Sequence, residues 1–183
     1  QHDVPQQLLT LAGLGDLDQA IEAAGKRGFH AQELNVRLKA HIESRVRKYN
    51  STNVVARVPG VAAGPANAVL YTAHYDHLGI DPDAKGDGIY NGAADNGTGC
   101  GVLLEMARAF AQSAARPPHD VYFSAVTAEE QGLLGSQYLG MHPPVPAGEI
   151  ALDLNYDMLL PIGIPRSVNL TGAERLDFWP TVQ

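Results

Sequence analysis

One cysteine, Cys100, stands alone among 183 residues. That excludes an internal disulfide and a zinc site built on several thiolates. Set between Gly99 and Gly101, the residue reads as a small, buried apolar side chain. No apolar run approaches the ~18 residues that a bilayer span requires, so no membrane partner is expected. Basic residues are also few, 13 against 20 acidic, for a formal charge of −7. The one basic block is "RVRK" at 45–48, too short to track a phosphate backbone, so no nucleic-acid partner is expected. There is no signal-peptide pattern, no internal repeat and no low-complexity tract. The chain opens on "QHDV" without methionine, as a processed or cut polypeptide does. Sequons at Asn50, Asn96 and Asn169 read as chance matches.

What is present is a globular composition, 45% apolar and 18% charged, long enough for one domain with a real core. Residues 5–25 read as two short helices, with Asp16 as the N-cap of the second. The segment 34–42 alternates strictly: Leu34, Val36, Leu38, Ala40 and Ile42 share one face. That period of two predicts a half-buried strand, paired as a hairpin with "NVVARV" at 53–58. Three short apolar runs follow, at 68–73, 120–126 and 149–154, as strands covered on both faces require. A helix is predicted between the first two, from about 98 to 114, and a shorter one at "QGLLGSQYLG" between the second and third. "SVNLTG" at 167–172 is read as a last strand. The β-α-β-α-β order predicts an α/β fold: a three-layer sandwich with a mixed, mainly parallel central sheet flanked by helices.

Polar clusters fall just after the three apolar strands. His74 and Asp76 follow the first, Glu129 and Glu130 the second, Asn155 and Asp157 the third. A fourth cluster, "NGAADNGTG" at 91–99, opens the long helix and contains Asp95. Taken singly, each is more often a hydrogen-bonded loop, a turn with a cap, or the charged first turn of a helix. Together they would crowd the carboxyl edge of one sheet, where open α/β folds bind ligands. Several carboxylates held together repel and need a cation. One histidine with several aspartates and glutamates suits zinc or another borderline divalent metal.

"AHYDHLG", "NGAADNGTG", "TAEEQGLLGS" and "LNYDM", in this order and spacing, resemble the zinc exopeptidases with co-catalytic metals. That family includes secreted bacterial leucyl-type aminopeptidases, glutamate carboxypeptidases and glutaminyl cyclases. The resemblance covers roughly residues 53–160. It implies two zinc ions and the following roles. His74 and Asp157 are ligands of one zinc, Asp95 bridges both, and Glu130 is a ligand of the other. Glu129 is the general base, and the Asp76 carboxylate orients His74. His77 lies three residues from His74, which would let it serve as a substitute ligand; it is read instead as a loop residue near the site, touching substrate or solvent. His2, His30, His41, His119 and His142 have no partner motif and read as surface or loop residues.

The activity implied is hydrolysis of N-terminal residues from peptides, in a secreted or periplasmic protein. A carboxypeptidase of the same fold stays open as an alternative, because no carboxylate-binding residues are identifiable. A glutaminyl cyclase is disfavoured by the presence of both His74 and Asp157. Two departures, Ala94 for Asp and Thr98 for Ser, leave the implied ligand set intact. A third bears on it, because the family's last histidine ligand lies downstream of "NYDM" and no histidine follows His142. The chain thus reads as a catalytic domain, 31–183, truncated at its C-terminal side, and an inactive homologue holding at most one metal is a further alternative. Residues 1–30 read either as the tail of a preceding inserted domain or as an N-terminal cover. The oligomeric state is not readable.

Overall fold

The computed structural model describes residues 3–37, 39–44, 46, 48–62, 67–159, 163–164, 166–167, 169–175, 177 and 180. They form two compact units, Gln1–Lys48 and Tyr49–Gln183. In the first, α1 (Asp3–Leu11) and α2 (Leu17–Ala24) match the two predicted helices. Asp16 caps α2, its carboxylate accepting the amides of Asp18 and Gln19 at 3.0 and 3.2 Å. The Gln6 side chain clips the two helices together, accepting the Leu17 amide at 2.8 Å.

The strand predicted at 34–42 is absent among the described residues. Residues 34–37 and 39–42 carry no regular structure, and Ile42 is 81% exposed; Leu38 lies outside the described residues. The alternation was real, but a period of two defines a face and supplies no partner. The predicted hairpin is likewise replaced. β1 (Val54–Val58) runs antiparallel to β5 (Val121–Val126), with Val54 opposite Ala125 and Val58 opposite Val121.

The second unit is built on one four-stranded sheet in the order β1, β5, β2 (Ala68–His74) and β6 (Ile150–Asn155). β2 is parallel to β5 on one side and to β6 on the other. Antiparallel β1 makes the sheet mixed. β3 (Gly79–Ile80) and β4 (Ile89–Tyr90) form a separate two-stranded ribbon after β2, too short to leave a periodic signal in the sequence.

Alternate residues of β2 and β5 serve opposite layers. Ala73, Val121 and Phe123 pack with Leu103, Cys100, Met106 and Phe110 of α3 (Thr98–Gln112). Ala68, Leu70, Tyr122 and Val126 pack with Leu139 of α4 (Leu134–Met141) on the other face. The result is three layers, with a core on each side of the sheet. Tyr71, Phe110 and Phe123 fill the α3 side, with ring centroids 5.5–6.2 Å apart. Burying Phe123 contributes about 1.5–3 kcal/mol, and the half-buried Tyr71 and Phe110 contribute less.

α4 starts three residues later than the sequence suggests. Gly132 and Leu133 have φ of 98° and 62°, so a right-handed helix cannot begin before Leu134. The strand read at 167–172 is also absent among the described residues: Ser167, Asn169 and Leu170 are irregular, and Gly172, at φ 90°, closes a turn; Val168 lies outside the described residues. Cys100 is half-buried, and its thiol donates to the His74 carbonyl at 3.1 Å. Burial pushes that thiol's pKa up, which argues against a nucleophilic role.

Candidate metal centre

β2, β5 and β6 are mutually parallel, so their carboxyl ends meet on one edge of the sheet. His74 is the last residue of β2 and is 2% exposed. Its Nδ1 lies 3.1 Å from the backbone carbonyl of Asp76. A carbonyl can only accept, so Nδ1 carries the proton and Nε2 presents its lone pair. That Nε2 is buried and has no hydrogen-bond partner among the described residues. Around it stand Asp95 Oδ1 at 3.0 Å, Asp157 Oδ1 at 3.4 Å and Glu129 Oε2 at 3.9 Å. An unprotonated nitrogen among carboxylate oxygens is repulsive unless a cation or a proton lies between them. The donor set, one imidazole and carboxylates, suits zinc. Ligand atoms of His74, Asp95 and Asp157 all lie within 4.8 Å of one another.

Asp95 arrives from the loop before α3. Residues 93–97 form a tight turn in which Asp95 and Asn96 have non-helical dihedrals, and the peptide joining them is cis. Asn96 is 2% exposed and ties three segments together. Its Oδ1 accepts the amides of Gly99 and Met158, and its Nδ2 donates to the Tyr156 carbonyl. The sequon at Asn96 is therefore spent on internal bonds. The bond to the Gly99 amide satisfies a donor in the first turn of α3. Gly99 allows the approach: a Cβ there would stand 2.5 Å from the Tyr156 carbonyl. Asp157 lies two residues past the end of β6, and the Tyr156 amide extends the sheet by donating to Thr72 O at 2.9 Å. Asn155, at the end of β6, accepts the Thr72 hydroxyl at 3.0 Å.

Glu129 and Glu130 follow β5 across Ala128, which sits at φ 53°. The turn directs both amides at Asp76. Oδ1 of Asp76 accepts the Glu129 amide at 3.1 Å, and Oδ2 accepts the Glu130 amide at 3.4 Å. The sequence assigned the Asp76 carboxylate to His74. The ring instead donates from Nδ1 to the Asp76 backbone carbonyl, with the carboxylate 3.8 Å from Nδ1.

Glu129 has its pKa raised above the usual carboxylate range. Burial is the main cause; Asp157, Glu130 and Asp95 add to it, and His74 opposes it. At His74, burial is the largest influence and lowers the pKa. The Asp76 carbonyl and the carboxylates of Asp157, Glu129 and Asp95 together outweigh it, and the net shift is upward.

His77, read from the sequence as a bystander, is drawn into this cluster. Its Nδ1 lies 2.5 Å from Glu130 Oε1. Ligand atoms of His77, Asp95 and Glu130 also fall within 4.8 Å of one another, so Asp95 belongs to both groups. Its nearness to His74 was the one signal in the sequence. His30, His41 and His142 are exposed and His119 is partly buried; His2 lies outside the described residues. A cleft of about 420 Å³ opens beside the cluster, bounded by Leu70, Val126, Leu139 and Ile150 and by Glu129 and Asp157.

The model of Peptidase family M28 matches residues 53–182. A "Probable zinc metalloprotease" of Pyrenophora tritici-repentis is 37% identical over 111 residues, covering 60% of this chain and 24% of that protein. A "Probable leucine aminopeptidase" of Arthroderma benhamiae is 28% identical over 177 residues, covering 91% of this chain and 42% of that protein. Among solved structures, BSAP, a zinc aminopeptidase from Bacillus subtilis, is 32% identical, with a TM-score of 0.46 over 58% of this chain and 24% of that one. The Legionella pneumophila LapA aminopeptidase is 26% identical, with a TM-score of 0.45 over 58% of this chain and 29% of that one. The chain thus spans less than half the length of these curated relatives.

Proposed function

Because the chain belongs to peptidase family M28, we propose that it serves as a zinc aminopeptidase, hydrolysing N-terminal residues from peptides with Glu129 as general base. The observation that carries the reading is His74 Nε2, buried, without a hydrogen-bond partner among the described residues and facing three carboxylates. In this reading His74, Asp95 and Asp157 hold one zinc, while Asp95 and Glu130 serve a second. Bound zinc would supply Lewis acidity toward the scissile carbonyl and acidify an attacking water.

The remaining chemistry belongs to the chain. Asp76 fixes the amides of Glu129 and Glu130, so the two side chains leave the turn in separate directions. Burial and neighbouring carboxylates hold the Glu129 carboxylate more basic than usual. It takes the proton of the attacking water and returns it to the departing amine, as a general base poised nearer neutrality does. The cleft beside it offers an apolar wall to a substrate side chain, in keeping with the leucine preference in the name of one relative. Action outside the cytoplasm belongs to the same reading, on the family resemblance alone.

Glu129→Gln tests the assignment. Turnover of aminoacyl reporter substrates should fall about 10²–10⁴-fold, with zinc content unchanged. Parental turnover in this variant would remove Glu129 from the mechanism.

A further inference from the structure

Resting on the zinc reading above, we propose that Asn53 is a positioning residue for that reaction, a buckle that closes the base of the turn carrying Glu129 and Glu130. β1 runs with Val54 opposite Ala125, so Asn53, one residue before it, stands beside the end of β5. Its Oδ1 accepts the Thr127 amide at 3.1 Å, and its Nδ2 donates to the Gly135 carbonyl at 2.7 Å. Thr127 is the first residue past β5, and Gly135 lies in the first turn of α4. One side chain thus joins the two ends of segment 127–135, with the glutamates between them. An amide hydrogen and a carbonyl oxygen need an acceptor and a donor on one planar group, which asparagine supplies and aspartate does not.

The turn does not hold this shape by itself. Ala128 and Leu133 sit at φ 53° and 62°, left-handed conformations that non-glycine residues keep only where the surroundings impose them. Its own bonds run from the Gly132 and Leu133 amides to the Glu129 carbonyl and from the Leu134 amide to Ala128. These stop short of Thr127 and Gly135. Packing at the base is close: a Cβ on Gly135 would stand 2.0 Å from the Thr127 carbonyl and 2.7 Å from Asn53 Oδ1. The same stretch of chain grips the turn a second time. The Ser51 hydroxyl lies 2.6 Å from that of Thr127, and the Thr52 carbonyl accepts the Tyr75 hydroxyl at 2.8 Å. Tyr75 follows His74 directly, so residues 51–53 tie the end of β5 to the end of β2. Asp76 holds the middle of the turn through the Glu129 and Glu130 amides, and Asn53 fixes the frame on which that middle hangs. Its bonds go to backbone, so its effect passes through where Glu129 stands.

At saturating zinc, Asn53→Ala should lower kcat on aminoacyl reporter substrates about 10²-fold, the order that a small misplacement costs a catalytic group. KM should stay near the parent value, because the interaction lost acts on the transition state alone. Asn53→Asp keeps an acceptor for the Thr127 amide and should recover part of the turnover. Phe110→Ala, in the core on the α3 side of the sheet, is the destabilised control: it should lower the denaturation midpoint and keep kcat. In the unaltered chain, hydrogen exchange should find the Thr127 amide as slow as the amides within β5. Asn53→Ala should release that amide while β5 stays protected, a readout that needs neither metal nor activity. A freely exchanging Thr127 amide in the unaltered chain, parental kcat in Asn53→Ala, or an equal loss of kcat in Phe110→Ala overturns the proposal and leaves the zinc peptidase reading intact. An unaltered chain that neither binds zinc nor turns over the reporters sinks that reading, and the positioning role with it.

Discussion

At the scale of single residues, Asp76 carries a division of labour that its place in the sequence does not suggest. Its backbone carbonyl fixes the His74 tautomer while its carboxylate holds two amides of the glutamate turn. Asp76→Ala should leave those amides unaccepted, at about 1–3 kcal/mol in total for partly buried donors, read as a lower urea midpoint of the zinc-free chain. Zinc affinity should fall about 10–100-fold through displaced Glu130. Asp76→Asn, keeping one acceptor oxygen, should recover part of both losses. An unchanged zinc affinity in a folded Asp76→Ala would show that the turn holds without it. The sequence identified His74, Asp95, Glu129, Glu130 and Asp157 as one set because their motifs recur in a known order. It could not place His77, whose partner Glu130 is 53 residues away.

At the scale of elements, the buried parallel strands were legible and the exposed segments were not. β2 and β5 are apolar on both faces because each face has a helix against it, and no other element writes so continuous an apolar run. Segment 34–42 wrote an equally regular pattern and formed no strand among its described residues. The partner of β1 is β5, far downstream, and a non-local pairing leaves no mark in local periodicity. The start of α4 depended on left-handed dihedrals at Gly132 and Leu133, the latter invisible in a leucine. The junction of α3 with the loop after β6 allows a further prediction. Gly99→Ala would press a Cβ onto Asn96 Oδ1 and the Tyr156 carbonyl. It should cost about 1–3 kcal/mol as overpacking does, read as a lowered denaturation midpoint. It should also weaken zinc at His74, because Asp157 follows the displaced carbonyl. A neutral effect on both would mean the loop yields freely.

At the scale of the whole molecule, stability and metal binding should respond to pH with opposite signs. In the zinc-free protein the His74 and Glu129 pKa values both lie above their ordinary positions. A raised folded-state pKa stabilises below the unfolded value and loses that contribution as pH climbs through the folded one. The Glu129 share therefore fades upward from about pH 4.5, and the His74 share from about 6.5. The Tm of the zinc-free chain should fall between pH 6 and 8. Zinc competes with protons for these same groups, so zinc binding strengthens over that interval and the loaded chain should gain Tm. Parallel Tm profiles with and without zinc would contradict a site made of these residues. The membership of Asp95 in both ligand groups has one more consequence. Two ions that share a carboxylate cannot bind independently, and whatever factor the first imposes on the affinity of the second is returned unchanged. With two zincs bound as proposed, occupancy would be a reciprocal, cooperative quantity, and a mutation in either half of the cluster would register in the binding isotherm of the other.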